Sequence, residues 1–303
     1  MSAATFSADW LRLREPFDAA AREEAAAGLR LTSRLSAWRP PETGPWRVID
    51  LACGTGANLR WLAPRLGGSQ QWLVVDHDAQ LLQRWPEHLA PAGGLPGEPA
   101  EMDSEPDLNR PLALAGAGFE AAIVRQQMDL MAGLESLPWH AADLVTASAL
   151  LDLVGLDWLH RLVRASAASG VALLMSLNVD GRHIWTPEDE LDDTVGRLFA
   201  DHQRRNKGLG PALGPAAVDA LQAALGAAGY RVFRAASDWW VDGSGGEQPL
   251  ALQSALIDGM AAAAGEQSPA SAPAVRAWRQ RRLAVAAEAR LRVGHLDLLA
   301  LPG

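Results

Sequence analysis

The stretch VIDLACGTGANLRWL, residues 48–62, runs apolar side chains into two glycines and then into a helical pattern. Val48, Ile49 and Leu51 suit a buried strand, while Leu59 and Leu62, three apart, suit one face of a helix. A strand that turns straight into a helix leaves free N–H groups at the first helical turn. Gly54 and Gly56 let the backbone bend there and let a ligand approach with no Cβ in the way. Such a turn holds a phosphate or another compact polar group. A dinucleotide-binding turn reads G-x-G-x-x-G, and here the third glycine position is Leu59. Asp50 separates the two cases. A carboxylate at the end of the opening strand repels a pyrophosphate and attracts a cationic amino-acid end. Asp76, at the end of the next apolar run, offers acceptors to ribose hydroxyls, each charge-assisted bond being worth about 1.5–3 kcal/mol. The implied ligand carries an ammonium, a ribose and a base.

Outward from this turn the chain alternates strands and helices. WRVIDL (46–51), QWLVVD (71–76), FEAAIVRQQMDL (119–130), DLVTASALL (143–151) and VALLMSLNV (171–179) read as strands. Their near-continuous apolar runs imply burial on both faces, as in a parallel sheet. Helices are expected over 17–35 behind Pro16, from Gly56 to Pro64, after the cap Asp78, along LDWLHRLVRASA, and over 216–228. YRVFRAASDWWV (230–241) reads as a sixth strand, two helices come next near 250–264 and 275–292, and RVGHLDLLALP (292–302) reads as a seventh strand. Residues 90–111 and 180–215 read as connections.

Composition narrows the class. The 303 residues are 49% hydrophobic, enough for a sizeable core. No apolar run reaches membrane-spanning length, no signal peptide is visible at the start, and the lone Cys53 cannot form an internal disulfide. A cytoplasmic protein without a membrane partner is expected. The net charge of −9 argues against a nucleic-acid partner. The scattered histidines suggest no metal site.

With DLACGTG (50–56) on the turn and Asp76 after the second strand, the sequence resembles the class I S-adenosylmethionine-dependent methyltransferases. Their motif is D-x-G-x-G-x-G, from which Ala52 departs at the first glycine. The resemblance implies a Rossmann-like α/β fold: a seven-stranded, mostly parallel sheet in the order 3-2-1-4-5-7-6, with helices on both faces and the last strand antiparallel. It divides the chain into an N-terminal helical cap (1–45) and a methyltransferase domain (46–303) with insertions at 180–215 and 245–291. It implies S-adenosylmethionine as cofactor. Asp50, Asn58 and the turn backbone at Ala52, Gly54 and Gly56 would hold the methionine end, with Arg22 of the N-terminal helix as partner for its carboxylate. Asp76 would take the ribose, His77, Asp129 and Leu130 the adenine, and Ser148 would lie near the methionine portion.

The acceptor side is read from the residues after the fifth strand. Asn178, Arg182 and Trp185 should lie near the transferred methyl, and Arg204, Arg205 and Lys207 form a cationic cluster beside glycines. The cluster suggests a lid over an anionic small molecule. A general base is sought first in His183, then in His202 and Asp152. The protein would act as a monomer or homodimer. Two rival readings stand beside this one: a nicotinamide-dependent oxidoreductase on a similar sheet, and a non-catalytic methyltransferase-like cofactor binder.

Overall fold

The computed structural model describes residues 6–39, 43–89, 108, 110–205 and 210–303. Helix α1 (Ala8–Leu29) opens on Ser7, whose hydroxyl accepts the Trp10 N–H at 3.1 Å. Pro16 therefore lies inside the helix rather than at its start, and the helix begins nine residues earlier than expected (17 against 8). The extra turns are held by Trp10, Leu13 and Phe17, which pack into an apolar cluster. At Arg30 a left-handed φ of 50° ends α1 and starts α2 (Leu31–Trp38).

The elements then run β1 (Trp46–Leu51), α3 (Ala57–Leu66), β2 (Gly68–Asp76), α4 (Ala79–Gln83), α5 (Trp85–Leu89), β3 (Leu112–Gly116), β4 (Phe119–Gln127), α6 (Leu130–Gly133), β5 (Leu144–Ser148) and α7 (Leu156–Ser169). After these come β6 (Ala172–Thr186), α8 (Asp192–Gln203), α9 (Ala217–Ala227), β7 (Tyr230–Ala236), β8 (Trp239–Asp242), α10 (Glu247–Gln267), α11 (Ala272–Val285) and β9 (Arg290–Pro302). The sheet order is β3-β4-β2-β1-β5-β6-β9-β7, with β8 also on β9. Without the hairpin strand β3 and the short β8, the other seven stand as 3-2-1-4-5-7-6, and β9 is antiparallel to both of its long neighbours. The expected order holds, with two strands added.

Alternate strand residues feed two cores. Ile49, Leu51, Val145 and Met175 meet Trp158 and Leu159 of α7 and Leu221 of α9. Val48, Val74, Leu144 and Leu174 meet Leu35 of α2 and Leu59 and Leu62 of α3. A third cluster joins α10 and α11 to β8, β9 and the outer half of β6.

Two expected boundaries change. The segment after residue 179 is strand, not connection: β6 runs on to Thr186, and α8 comes next. Two register shifts against β9 make this possible, one around Leu177 (φ 54°) and one around Gly181 (φ 87°). The expected sixth strand is interrupted at Ser237 and Asp238, yet its pairing on β9 keeps one register from Ala236–Leu296 to Trp239–Val293. Asp238 faces Arg182 and Arg292, and its Oδ1 also accepts the His295 N–H at 3.0 Å. Gly294 is needed beside this cluster, because a Cβ there would lie 2.1 Å from Asp180 Oδ1.

Candidate functional site

The ends of β1, β2 and β5 face α1 across a cavity of about 720 Å³, within the range of about 300–1,000 Å³ usual for small-molecule sites. Its floor is the turn after β1. Ala52, Gly54 and Gly56 all take left-handed φ there, at 51°, 52° and 87°. Gly56 could not carry a side chain: a Cβ would come within 2.9 Å of the Trp85 ring. Trp85 also fixes the turn by donating its indole N–H to the Gly54 carbonyl at 2.8 Å. Ala52 holds its conformation at the roughly 1–2 kcal/mol that a left-handed φ costs a residue with a Cβ.

Asp76 ties this turn to the neighbouring strand. Its Oδ2 accepts the Gly54 N–H at 2.8 Å and its Oδ1 the Asp78 N–H at 2.9 Å. His77 Nδ1 lies 3.2 Å from Oδ1, and that contact raises the His77 pKa. Asp129 caps α6 by accepting the Met131 N–H at 2.8 Å, and Leu130 follows it into the wall.

Beneath the turn lies a buried polar relay. Arg22 stacks on Trp61 at 3.9 Å and donates Nη2–H to Asn58 Oδ1 at 2.6 Å. Asn58 Nδ2 in turn donates to Asp50 Oδ1 at 2.6 Å and to Thr146 Oγ1 at 3.2 Å. Two atoms of the relay have no partner among the described residues, Arg22 Nε and Asp50 Oδ2. Burial pushes the Asp50 carboxyl up to about 7, against the pull of Asn58 and Arg22. Burial likewise lowers Arg22 to about 10, opposed by the charges of Asp297, Asp18 and Asp50.

Nine of the eleven residues expected at the cofactor line this cavity: Arg22, Ala52, Gly54, Asn58, Asp76, His77, Asp129, Leu130 and Ser148. Asp50 and Gly56 stand behind the lining. The electrostatic part expected of Asp50 is therefore indirect, since Asn58 lies between it and Arg22.

The acceptor side differs from expectation, and the reason in each case is a prior partner. Asn178 closes the first β6 bulge, donating Nδ2 to the Met175 and Leu296 carbonyls at 2.9 Å each. Arg182 pairs with Asp180 and Asp238, and Trp185 packs edge-on against Trp278. Arg204 pairs with Asp201 and Arg205 reaches the Glu266 carbonyl, both at the end of α8. Lys207 lies outside the described residues. None of the five described residues lines the cavity. The same holds for the expected bases: His183 sits on β6 with its ring edge-on to Phe199, His202 pairs with Glu266 at 3.1 Å, and Asp152 is buried in the turn after β5.

Most of one face of α1 escaped the sequence reading, which offered Arg14 and Arg22 there as partners for a carboxylate. Leu11, Glu15, Asp18 and Ala19 line the cavity together with these two arginines. Their helical spacing was the available signal, hidden once the helix was started behind Pro16. Glu15 holds Arg60 through Oε1 and Oε2, each 2.7 Å from Nη2. Asp18 accepts Arg14 Nε–H at Oδ2 (2.8 Å), and at Oδ1 it accepts Arg14 Nη2–H (3.1 Å) and the Trp239 indole N–H (3.0 Å). Among the described residues no group of His, Cys, Asp and Glu is arranged to hold a metal ion, and no helix is long and apolar enough to cross a membrane.

The strand order and the glycine turn give the chain the fold of the class I S-adenosylmethionine-dependent methyltransferases. No family model matches the sequence, and no relative is found among curated proteins. Among solved structures, the chain is similar to the cyclopropane synthase MmaA2 from Mycobacterium tuberculosis, at 12% identity and a TM-score of 0.46, over 97% of this chain and 94% of that one. It is similar to the mycolic acid cyclopropane synthase CmaA1, solved with S-adenosylhomocysteine and CTAB, at 10% identity and a TM-score of 0.43, over 97% and 94% of the two chains. It is also similar to phosphoethanolamine N-methyltransferase 2 from Haemonchus contortus, at 12% identity and a TM-score of 0.38, over 89% of this chain and 52% of that one. Likenesses at this level carry no argument about chemistry, which rests on the cavity itself.

Proposed function

We propose that the protein binds S-adenosyl-L-methionine and transfers its methyl group to a small-molecule acceptor. The observation that carries this reading is the relay Arg22–Asn58–Asp50, with one unpartnered atom on each charged member among the described residues. A zwitterionic amino-acid end suits it, its carboxylate on Arg22 and its ammonium toward Asp50. A pyrophosphate does not, because it would meet Asp50 and Asp76. The lone pairs that Gly54 and Asp78 leave on Asp76 suit ribose hydroxyls, and His77, Asp129 and Leu130 would flank the base. Ser148, at the end of β5, would border the methionine portion.

When bound, the cofactor supplies a methyl group on a positively charged sulfur, open to in-line displacement. The chain's own work is alignment, with reacting atoms about 3–3.5 Å apart, and exclusion of water. Helix α1, as part of the N-terminal cap, would supply the exclusion. The net charge of −9 supports a small-molecule acceptor over nucleic acid. The reading includes a cytoplasmic setting and a monomer or homodimer.

Calorimetry with S-adenosylhomocysteine, NADH and adenosine tests it. S-adenosylhomocysteine should bind and NADH should not. Arg22→Gln should weaken S-adenosylhomocysteine tenfold or more, since one charge-assisted bond is worth about 1.5–3 kcal/mol. Adenosine, which lacks the amino-acid end, should bind the variant unchanged. Binding of NADH alone would overturn the reading in favour of the oxidoreductase.

A further inference from the structure

Among the described residues, the cavity wall holds no free arginine or lysine for an anionic acceptor. Arg14 is held by Asp18, Arg60 by Glu15, and Arg65 by Glu23. Arg22 is the remaining arginine of the lining, and the methyltransferase reading gives it to the cofactor carboxylate. The other lining is largely apolar and includes Leu11, Ala19, Leu150 and Leu153. A carboxylate or phosphate acceptor would meet there only arginines whose charge a carboxylate already balances, which leaves it without a full counter-charge.

The acidic lining is a different matter. Glu15 pairs with Arg60 and stands about two turns before Arg22, farther from it than Asp18, while Asp76 holds the glycine turn and Asp129 caps α6. Asp18 stands one turn before Arg22 on the same face of α1, about 6 Å of rise away. Its neighbours Phe17 and Ala21 share an apolar cluster with Ala149, the residue after Ser148 at the end of β5. Asp18 thus lines the cavity on the Arg22 side, where the methyltransferase reading puts the methionine portion. Its Oδ2 has one hydrogen-bond partner among the described residues, Arg14 Nε–H, so a lone pair is left, and 14% of the side chain is exposed. Burial raises its pKa despite Arg14, which makes it a better base than an ordinary carboxylate.

Resting on the methyltransferase reading, we propose that Asp18 is the catalytic base, and that the acceptor is an apolar molecule whose nucleophile bears a proton, an N–H or O–H, and carries no negative charge. The acceptor donates that hydrogen to Asp18 Oδ2. As its nitrogen or oxygen forms the new bond to the methyl carbon, the carbon–sulfur bond breaks and its electron pair stays on sulfur. The proton passes to the Asp18 carboxylate and leaves as the acid re-ionises in solvent. Arg14 and Trp239 hold the carboxylate in place and are positioning residues.

Three probes of similar size test this: phenethylamine, 4-ethylphenol and 3-phenylpropionate, each at millimolar concentration. The first readout is the melting temperature of the protein saturated with S-adenosylhomocysteine. The amine, the phenol or both should raise it, and 3-phenylpropionate should not. The second readout is methyl transfer from S-adenosylmethionine, which should follow the same order. Asp18→Asn, which keeps an oxygen for Arg14 and Trp239, should abolish the probe-induced shift and lower turnover at least a hundredfold. Its affinity for S-adenosylhomocysteine should stay within twofold. The proposal is overturned if the propionate gives the larger shift, if neither donor probe shifts the complex, or if the shift survives Asp18→Asn. Should Asp18→Asn fail to fold, the wild-type probe order still decides the acceptor class, and Asp18→Ser, read in the same two ways, decides the base. Failure of S-adenosylhomocysteine to bind at all would instead overturn the methyltransferase reading, a separate outcome.

Discussion

At the scale of single residues, Asp50 is the most informative group. Its carboxyl sits at about 7 against an ordinary 3.8, because burial disfavours the charge. Between those values the folded chain holds a proton that the unfolded chain has lost. Its stabilising contribution is therefore full below about pH 4 and is lost as pH rises through about 7. Asp50→Asn should raise the melting temperature of the ligand-free protein at pH 8 by about 2 °C or more, as expected for roughly 1 kcal/mol in a chain of this size. The same change should weaken S-adenosylhomocysteine severalfold, because the ligand ammonium loses a counter-charge that acts on it from behind the cavity wall. In the wild type that affinity should fall below about pH 7, and the variant should lose this dependence, keeping only what His77 contributes. Scanning calorimetry and titration calorimetry across pH 5.5–8 read both. A variant that is less stable and binds equally well would remove Asp50 from the ligand. The sequence made this residue legible because a carboxylate, two glycines and a strand end coincide within seven residues (50–56). It did not disclose that Asn58 would stand between the carboxylate and Arg22, since that depends on a helix joining the site from another part of the chain.

At the scale of elements, the strands were legible and the decorated end of β6 was not. Buried parallel strands announce themselves by continuous apolar runs, as in VALLMSL. Past Val179 the strand carries Asp180, Gly181 and Arg182, which read as punctuation. The bulges at Leu177 and Gly181 let the ladder continue, and an ion-pair cluster of Asp180, Arg182, Asp238 and Arg292 satisfies the charges. Asp238 is the centre of that cluster. It is 3% exposed at the side chain and also accepts the buried His295 N–H. Asp238→Ala should destabilise the protein by about 1–3 kcal/mol, mainly because the buried His295 N–H loses its acceptor, while Arg182 keeps Asp180 and both arginines reach solvent. Denaturant unfolding reads the loss, and affinity for S-adenosylhomocysteine should be unchanged, because the cluster is not part of the cavity wall. A parallel loss of affinity would mean that the outer half of β6 shapes the ligand site. Arg182 was expected at the acceptor for a sound reason, its position after the fifth strand, but Asp180 and Asp238 had already claimed it.

At the scale of the whole molecule, α1 is a helix laid across the mouth of a sheet that is otherwise closed by its own crossovers. Polar ties run from Glu15 to Arg60, Asp18 to Trp239, Arg22 to Asn58 and Glu23 to Arg65. Apolar contacts hold both ends: Trp10, Leu13 and Phe17 in the first turns, and Gly28 against Ala235, where a Cβ would stand 3.1 Å away, in the last. No residue from 8 to 20 is fully buried, whereas Ala21, Ala25 and Leu29 are, so the first turns can open while the later ones stay packed. A ligand of the size of S-adenosylhomocysteine, covered by α1 and gripped by Arg22, would be released by such an opening. Binding must therefore be linked to it: at one hundred times Kd the ligand stabilises the closed state by about 2.7 kcal/mol. Amide hydrogen exchange along residues 11–22 should then slow by roughly a hundredfold on saturation, while exchange in α10 and α11, which do not line the cavity, should be unaffected. Adenosine, lacking the group that Arg22 would hold, should slow the turn at 52–58 and leave α1 nearly as it was. If S-adenosylhomocysteine protects the turn and not α1, the ligand enters and leaves beneath a fixed helix, and the cap is part of the wall and no part of the gate.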